Sequence, residues 1–164
     1  MIIQHPKTWK IFAFSLAFFI SSCAAFKPEK TFSKNGLTVT FRSLNALDDI
    51  QSIKFLYPII LSEKQVLNHL LSLWHQRIVS PGKPKPVFSL DEVAKLSSLF
   101  STALKKVEPT KYLNFEFKSF KGLIEGQVFA TAKKLHWRFL KINNEDFSND
   151  PLRIKKPTWK LVRM

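Results

Sequence analysis

At Pro109 the spacing of the apolar residues changes from three-and-four to two, which restricts the chain to folds in which helices precede a run of strands. Upstream, Ser62 with Gln65 and Ser89 with Glu92 each match a capping box. In it the serine oxygen accepts from an orphan backbone N–H and the third residue reaches back. Leu61 before Val66 and Phe88 before Val93 add the apolar staple that sets how a chain enters a helix. The first helix then turns Val66, Leu67, Leu70, Leu71 and Trp74 to one side; the second turns Val93, Leu96, Phe100, Ala103, Leu104 and Val107. Asp91 and Glu92 open the second helix and Lys105 and Lys106 close it, as its dipole favours. Val79 to Pro86 between them is proline-rich and continues neither.

Beyond Pro109, Leu113, Phe115 and Phe117 alternate with polar residues, Lys121-Gly122 turns the chain, and Ile124 to Ala132 runs back with a bulge at Gly126. Lys133-Lys134 makes a tight turn into a strand carrying Leu135, Trp137 and Phe139. A polar loop from Asn143 to Asp150 follows, and Thr158 to Val162 closes the chain with Trp159 and Leu161 on one side. Before the helices, Leu37, Val39 and Phe41 alternate with Thr38, Thr40 and Arg42, and Ser52 to Ile60 reads as a second strand ending at Pro58. The expected architecture is α+β: an antiparallel sheet of about five to six strands with a helical pair packed on one face. A closed barrel is the alternative.

The first residues read as an address. Met1 to Lys10 holds Lys7 and Lys10 and no acid, Ile11 to Ile20 is apolar apart from Ser15, and Ser21 and Ser22 are small. That is the order of a secretory signal, and the apolar run is half the ~20 residues a membrane-spanning helix needs. Ile20-Ser21-Ser22-Cys23 resembles the lipobox of bacterial lipoprotein signal peptides. The resemblance implies cleavage before Cys23 and conversion of its thiol to a thioether carrying diacylglycerol, an anchor that needs no spanning helix. Taken without the resemblance, the residues leave open a plain cleaved signal or an uncleaved anchor, with Cys23 a small apolar residue. Cys23 is the one cysteine, so the lipidated chain would have no thiol left for a disulfide or a metal site. Ala24 stands where lipoproteins retained in the inner membrane of many Gram-negative bacteria carry Asp. The departure implies an outer-membrane anchor facing the periplasm in such an organism. The expected division is a signal peptide over 1–22, lipidated cysteine and tether over 23–35, and one domain over 36–164.

Chemistry-bearing motifs are sparse. His69 and His75 would stand about 120° apart on a helix, unlike a zinc-binding i, i+4 pair, and no G-x-S-x-G, P-loop or dinucleotide fingerprint is present. The adjacent carboxylates Asp48-Asp49, Asp91-Glu92 and Glu145-Asp146 read as loop or helix-start residues. No cofactor or metal is expected, and no catalytic residue. What stands out is charge: 26 Lys and Arg against 12 Asp and Glu give a net charge of +14, which favours an anionic partner. Cations concentrate toward the end, where Lys133, Lys134, Arg138, Lys155, Lys156, Lys160 and Arg163 surround Trp137, Phe139 and Trp159. These seven are the candidate anion-binding residues. Ordinary two-sided strands, aromatics inward and cations outward, produce the same alternation and are the reading we favour for the aromatics.

Tyr57-Pro58, Leu61-Ser62, Gln65-Val66, Pro86-Val87-Phe88-Ser89, Glu92 and Gly126-Gln127-Val128-Phe129 together resemble small bacterial lipoproteins in which a helical pair precedes a meander. That resemblance implies fold and compartment and lends no activity. The sequence therefore predicts a non-enzymatic, lipid-anchored cell-envelope protein whose basic domain binds an anionic partner: a membrane surface, an acidic envelope polymer or an acidic protein. The alternative is an enzyme acting on an envelope polymer. Single-stranded nucleic acid is a further alternative, against which the export signal argues.

Overall fold

A computed structural model describes residues 29–46, 54–132, 134–147 and 157–163. Residues 1–28, Cys23 among them, and Asp48-Asp49, Lys133, Lys155 and Lys156 lie outside them. The described chain is α+β. Strands β1 (Thr31–Lys34), β2 (Leu37–Ser43), β5 (Lys111–Ser119), β6 (Gly122–Ala130), β7 (Leu135–Ile142) and β8 (Glu145–Asp146) form an antiparallel sheet in the order β1-β2-β5-β6-β7-β8. A second sheet joins β3 (Leu73–Arg77), β4 (Lys85–Pro86) and β9 (Trp159–Arg163) in the order β4-β3-β9. The helices are α1 (Glu63–Leu71) and α2 (Leu90–Lys105). Among the described residues no helix is long and apolar enough to cross a membrane.

Both helices start where their caps predict. Ser62 Oγ accepts from Gln65 N–H at 3.2 Å while Ser62 N–H donates to Gln65 Oε1 at 2.8 Å. Ser89 N–H donates to Glu92 Oε2, also at 2.8 Å. Val66, Leu70, Val93, Leu96, Phe100 and Leu104 join Leu37, Val39, Leu113, Phe115, Ile124 and Val128 in one buried cluster. Phe100 sets its ring edge against Phe115 and against Trp137, each at 5.2 Å. Ser101 Oγ donates to Leu61 O at 2.8 Å, tying the second helix to the entry of the first.

Five expectations need correction. The first helix does not reach Trp74: it ends at Leu71, where Ser72 N–H turns back to Asn68 O and His69 O, and the chain goes straight into β3. The reason is distant in sequence, because residues 73–77 supply the ladder partner for β9 and so satisfy both backbones. Consequently Thr158 to Val162 extends the second sheet and not the main meander. Ser52 to Ile60 is no strand over its described part; Phe55 makes an isolated bridge to Thr131, and Leu56 N–H donates to Ala130 O at 2.8 Å. Order begins before Leu37: β1 falls within the expected tether, because Asn35 and Gly36, with φ of 52° and 78°, make the two-residue turn that returns it along β2. Finally, the polar loop after β7 starts as a hairpin, in which Asn143 and Asn144 at φ 51° and 67° fold β8 back on β7.

The expected irregularity at Gly126 is present, with the extra residue on the facing strand. Glu125 pairs with Lys141 and Gly126 with Phe139, which leaves Leu140 between them. Gly126 is also where Phe115 crosses: a Cβ there would stand 2.7 Å from Phe115 Cζ and 2.9 Å from Arg138 O.

Candidate functional site: a cleft between the two sheets

The bulge turns Leu140 outward at the place where the two sheets meet. β8 is one edge of the larger sheet and β9 one edge of the smaller, and side-chain and backbone bonds hold these edges together. Thr158 N–H donates to Phe147 O at 2.8 Å and Thr158 Oγ1 donates to Asp146 O at 2.7 Å, while Ile78 N–H, donating to Thr158 O at 3.0 Å, continues the β3–β9 ladder. The Phe147 and Trp159 rings meet edge-on at 4.7 Å. Over this junction opens a cleft of about 880 Å³ whose lining includes Ile78, Leu140, Phe147 and Leu161, with Arg138 and Lys160.

The aromatics follow the two-sided reading. Trp159 and Phe139 are buried at 2% and 4% exposure, and Trp137 packs against the same core. What the cleft shows to solvent is apolar and cationic: Ile78, Leu140, Phe147 and Leu161 are each 38% to 40% exposed, and Arg138 and Lys160 are exposed beside them. Asp146 also lines it, but lies 3.5 Å from Lys141 Nζ. Hydrogen bonding to Glu125 and the nearby Asp146 carboxylate hold that ammonium above its ordinary range, so it stays charged.

Of the seven cations singled out in the sequence, the cleft brings together Arg138 and Lys160. Lys134 is exposed in the β6–β7 turn, beside a different hollow lined by His69 and His136. Arg163 is described only through its backbone pairing with Leu73. His69 stays on α1 while His75 leaves it for β3, so the two do not share a helix. Among the described residues no three His, Cys, Asp or Glu side chains cluster as metal ligands would. Of the adjacent carboxylates, Glu92 is held in its cap, Glu145 pairs with Arg77 at 2.9 Å and Asp146 with Lys141.

Of the apolar half of the cleft, sequence reasoning named Leu161 and missed Ile78, Leu140 and Phe147. Phe147 stands singly among polar residues, and an isolated large apolar side chain in a polar run is the signal it offers; Ile78, beside Val79, gives none. The chain matches no protein-family model and no curated protein, and no solved structure matches it.

Proposed function

We propose that this chain is a lipid-anchored cell-envelope protein, acylated at Cys23, whose basic domain binds an anionic lipid without catalysing a reaction. In this reading α1 and α2 form a pair seated on one face of the six-stranded sheet. The short segment from Cys23 to β1 holds the domain at the membrane, the periplasmic face of an outer membrane in a Gram-negative cell. The observation that carries the binding half is the cleft: four exposed apolar side chains beside two exposed cations. An acidic polymer would be drawn to the cations and gain little from the apolar wall. A molecule with an anionic head and an acyl tail uses both, through charge at Arg138 and Lys160 and burial at ~25 cal/mol per Å² along Ile78, Leu140, Phe147 and Leu161.

Two measurements on the full chain test the two halves. Intact mass with fatty-acid labelling should give acyl mass on wild type and none on Cys23→Ala; wild type without acyl mass removes the anchor. Titration of detergent-purified protein with monomeric short-chain phosphatidylglycerol should show binding that Arg138→Glu with Lys160→Glu weakens at least about tenfold. Equal binding by the double variant, or by phosphatidylcholine, removes the cleft.

A further inference from the structure

β1 is a sheet edge with one side unused. Among the described residues it pairs with β2 alone. Lys30 O accepts from Phe41 N–H at 3.2 Å, and the alternation of an antiparallel ladder then turns the N–H and C=O of Phe32 and Lys34 toward β2 and those of Thr31 and Ser33 away from it. Thr31 and Ser33 thus offer backbone donors and acceptors to whatever lies alongside. Their side chains stay on the outer face, where they meet Thr40 and Thr38. Phe32 and Lys34 stand opposite Val39 and Leu37, so they share the face on which those two residues join the core. Val39 is fully buried there, whereas Phe32 is 43% exposed. Between β1 and α2 lies a groove of about 410 Å³ lined by Phe32, Val39, Phe41, Leu99 and Ala103. Cations flank it. Lys34 on β1 and Lys106 at the end of α2 are exposed and make no ion pair among the described residues, while Lys30 is held by Glu108 at 3.0 Å.

We propose that an extended, acidic peptide segment of a partner protein docks here as an added strand of the larger sheet. It bonds Thr31 and Ser33 through its backbone, lays one apolar side chain beside Phe32 into the groove, and sets a carboxylate beside Lys34 or Lys106. Each part of the surface narrows the occupant. Backbone donors and acceptors spaced two residues apart along a strand edge are matched by another strand and are wasted on an acyl chain. The groove supplies register, because the residue opposite Phe32 in the added strand turns its side chain to the same face. Charge decides the sign. A second copy of this chain, with a net charge of +14, would bring like charge against Lys34, and a lysine on a short edge strand is a device that keeps copies apart. An acid in that place turns the repulsion into a cross-strand pair. The site requires neither Cys23 nor the cleft between the two sheets.

The probe is an acetylated, amidated pentapeptide of glutamate, threonine, leucine, threonine and glutamate, which sets leucine opposite Phe32 and a glutamate beside Lys34 in either direction. It is titrated against the full chain in detergent, with amide NMR shifts and hydrogen exchange as readouts. In the chain alone, the amides of Phe32 and Lys34 should exchange more slowly than those of Thr31 and Ser33. With peptide, Thr31 and Ser33 should slow by at least about tenfold, with half-saturation on the order of 1 mM for so short a segment. The same peptide with lysine in place of glutamate should bind at least about tenfold more weakly, and so should the glutamate peptide to Lys34→Gln with Lys106→Gln. Ser33→Pro removes an outward N–H and leaves the β1–β2 bonds in place, a change an edge strand tolerates. It should abolish the protection of Thr31 while the amides of β2 keep theirs. Arg138→Glu with Lys160→Glu should bind the peptide as wild type does, which separates this edge from the lipid cleft. Protection of Thr31 and Ser33 before peptide is added, no response up to about 10 mM, or an equal response from the lysine peptide or from Ser33→Pro overturns the proposal.

Discussion

Phe115 shows how much a single position can carry here. Its ring lies across Gly126 on the neighbouring strand and meets Phe100, Trp137 and Phe139 on its other sides. A glycine in mid-strand ordinarily weakens a sheet, and covering it with a cross-strand ring recovers part of the loss. The arrangement leaves no room for growth. In Gly126→Ala the new methyl would have to displace either a ring wedged among three others or the carbonyl of Arg138, which is backbone. We expect the substitution to destabilise by ~1–3 kcal/mol in denaturant unfolding, several times what a helical Ala would change. A variant as stable as wild type would mean that the ring cluster yields more easily than its edge-on packing suggests.

Elements with local instructions were legible, and those whose partner is distant were not. Ser89→Ala removes the acceptor for Glu92 N–H and half of the reciprocal box, so we expect a loss of ~1 kcal/mol in thermal or chemical unfolding, read against Ser98→Ala, a helix-interior control on the same helix. Such caps, and the period-two runs of β2, β5, β6 and β7, depend on neighbours a few residues away, and a pattern records them. β3 is different: Leu73 and Trp74 continue the apolar spacing of α1, and only pairing with residues 159–163 makes them a strand. β4 and β8 are two residues each, too short to show any period. The same divide runs through the cleft. Arg138 and Lys160 could be named as cations from the sequence, whereas their meeting with Ile78 and Phe147 depends on β8 and β9 being joined edge to edge.

At the scale of the molecule the dominant property is charge. With a net charge of +14, the whole surface attracts anions beyond any one cleft, while specific contact is confined to a few side chains. The two contributions separate by salt. Raising ionic strength from about 0.05 to 0.5 M shortens the screening length from roughly 14 to 4 Å, so general attraction should vanish while the proposed apolar contacts persist. We expect phosphatidylglycerol binding to weaken by about one order of magnitude over that range and then level off; titration at four or five salt concentrations reads it, and a decline to nothing would assign all of the binding to charge. The strand order β4-β3-β9 also bears on how the protein is made. A chain synthesised from its N-terminus delivers β3 long before residues 159–163 follow, and until they arrive that strand has its β9-facing edge open. For that interval it is an adhesive strip in a crowded compartment, and only the arrival of β9 closes it. Completion of the second sheet is thus a timing signal: that edge is shielded from wrong partners only once residues 159–163 are in place.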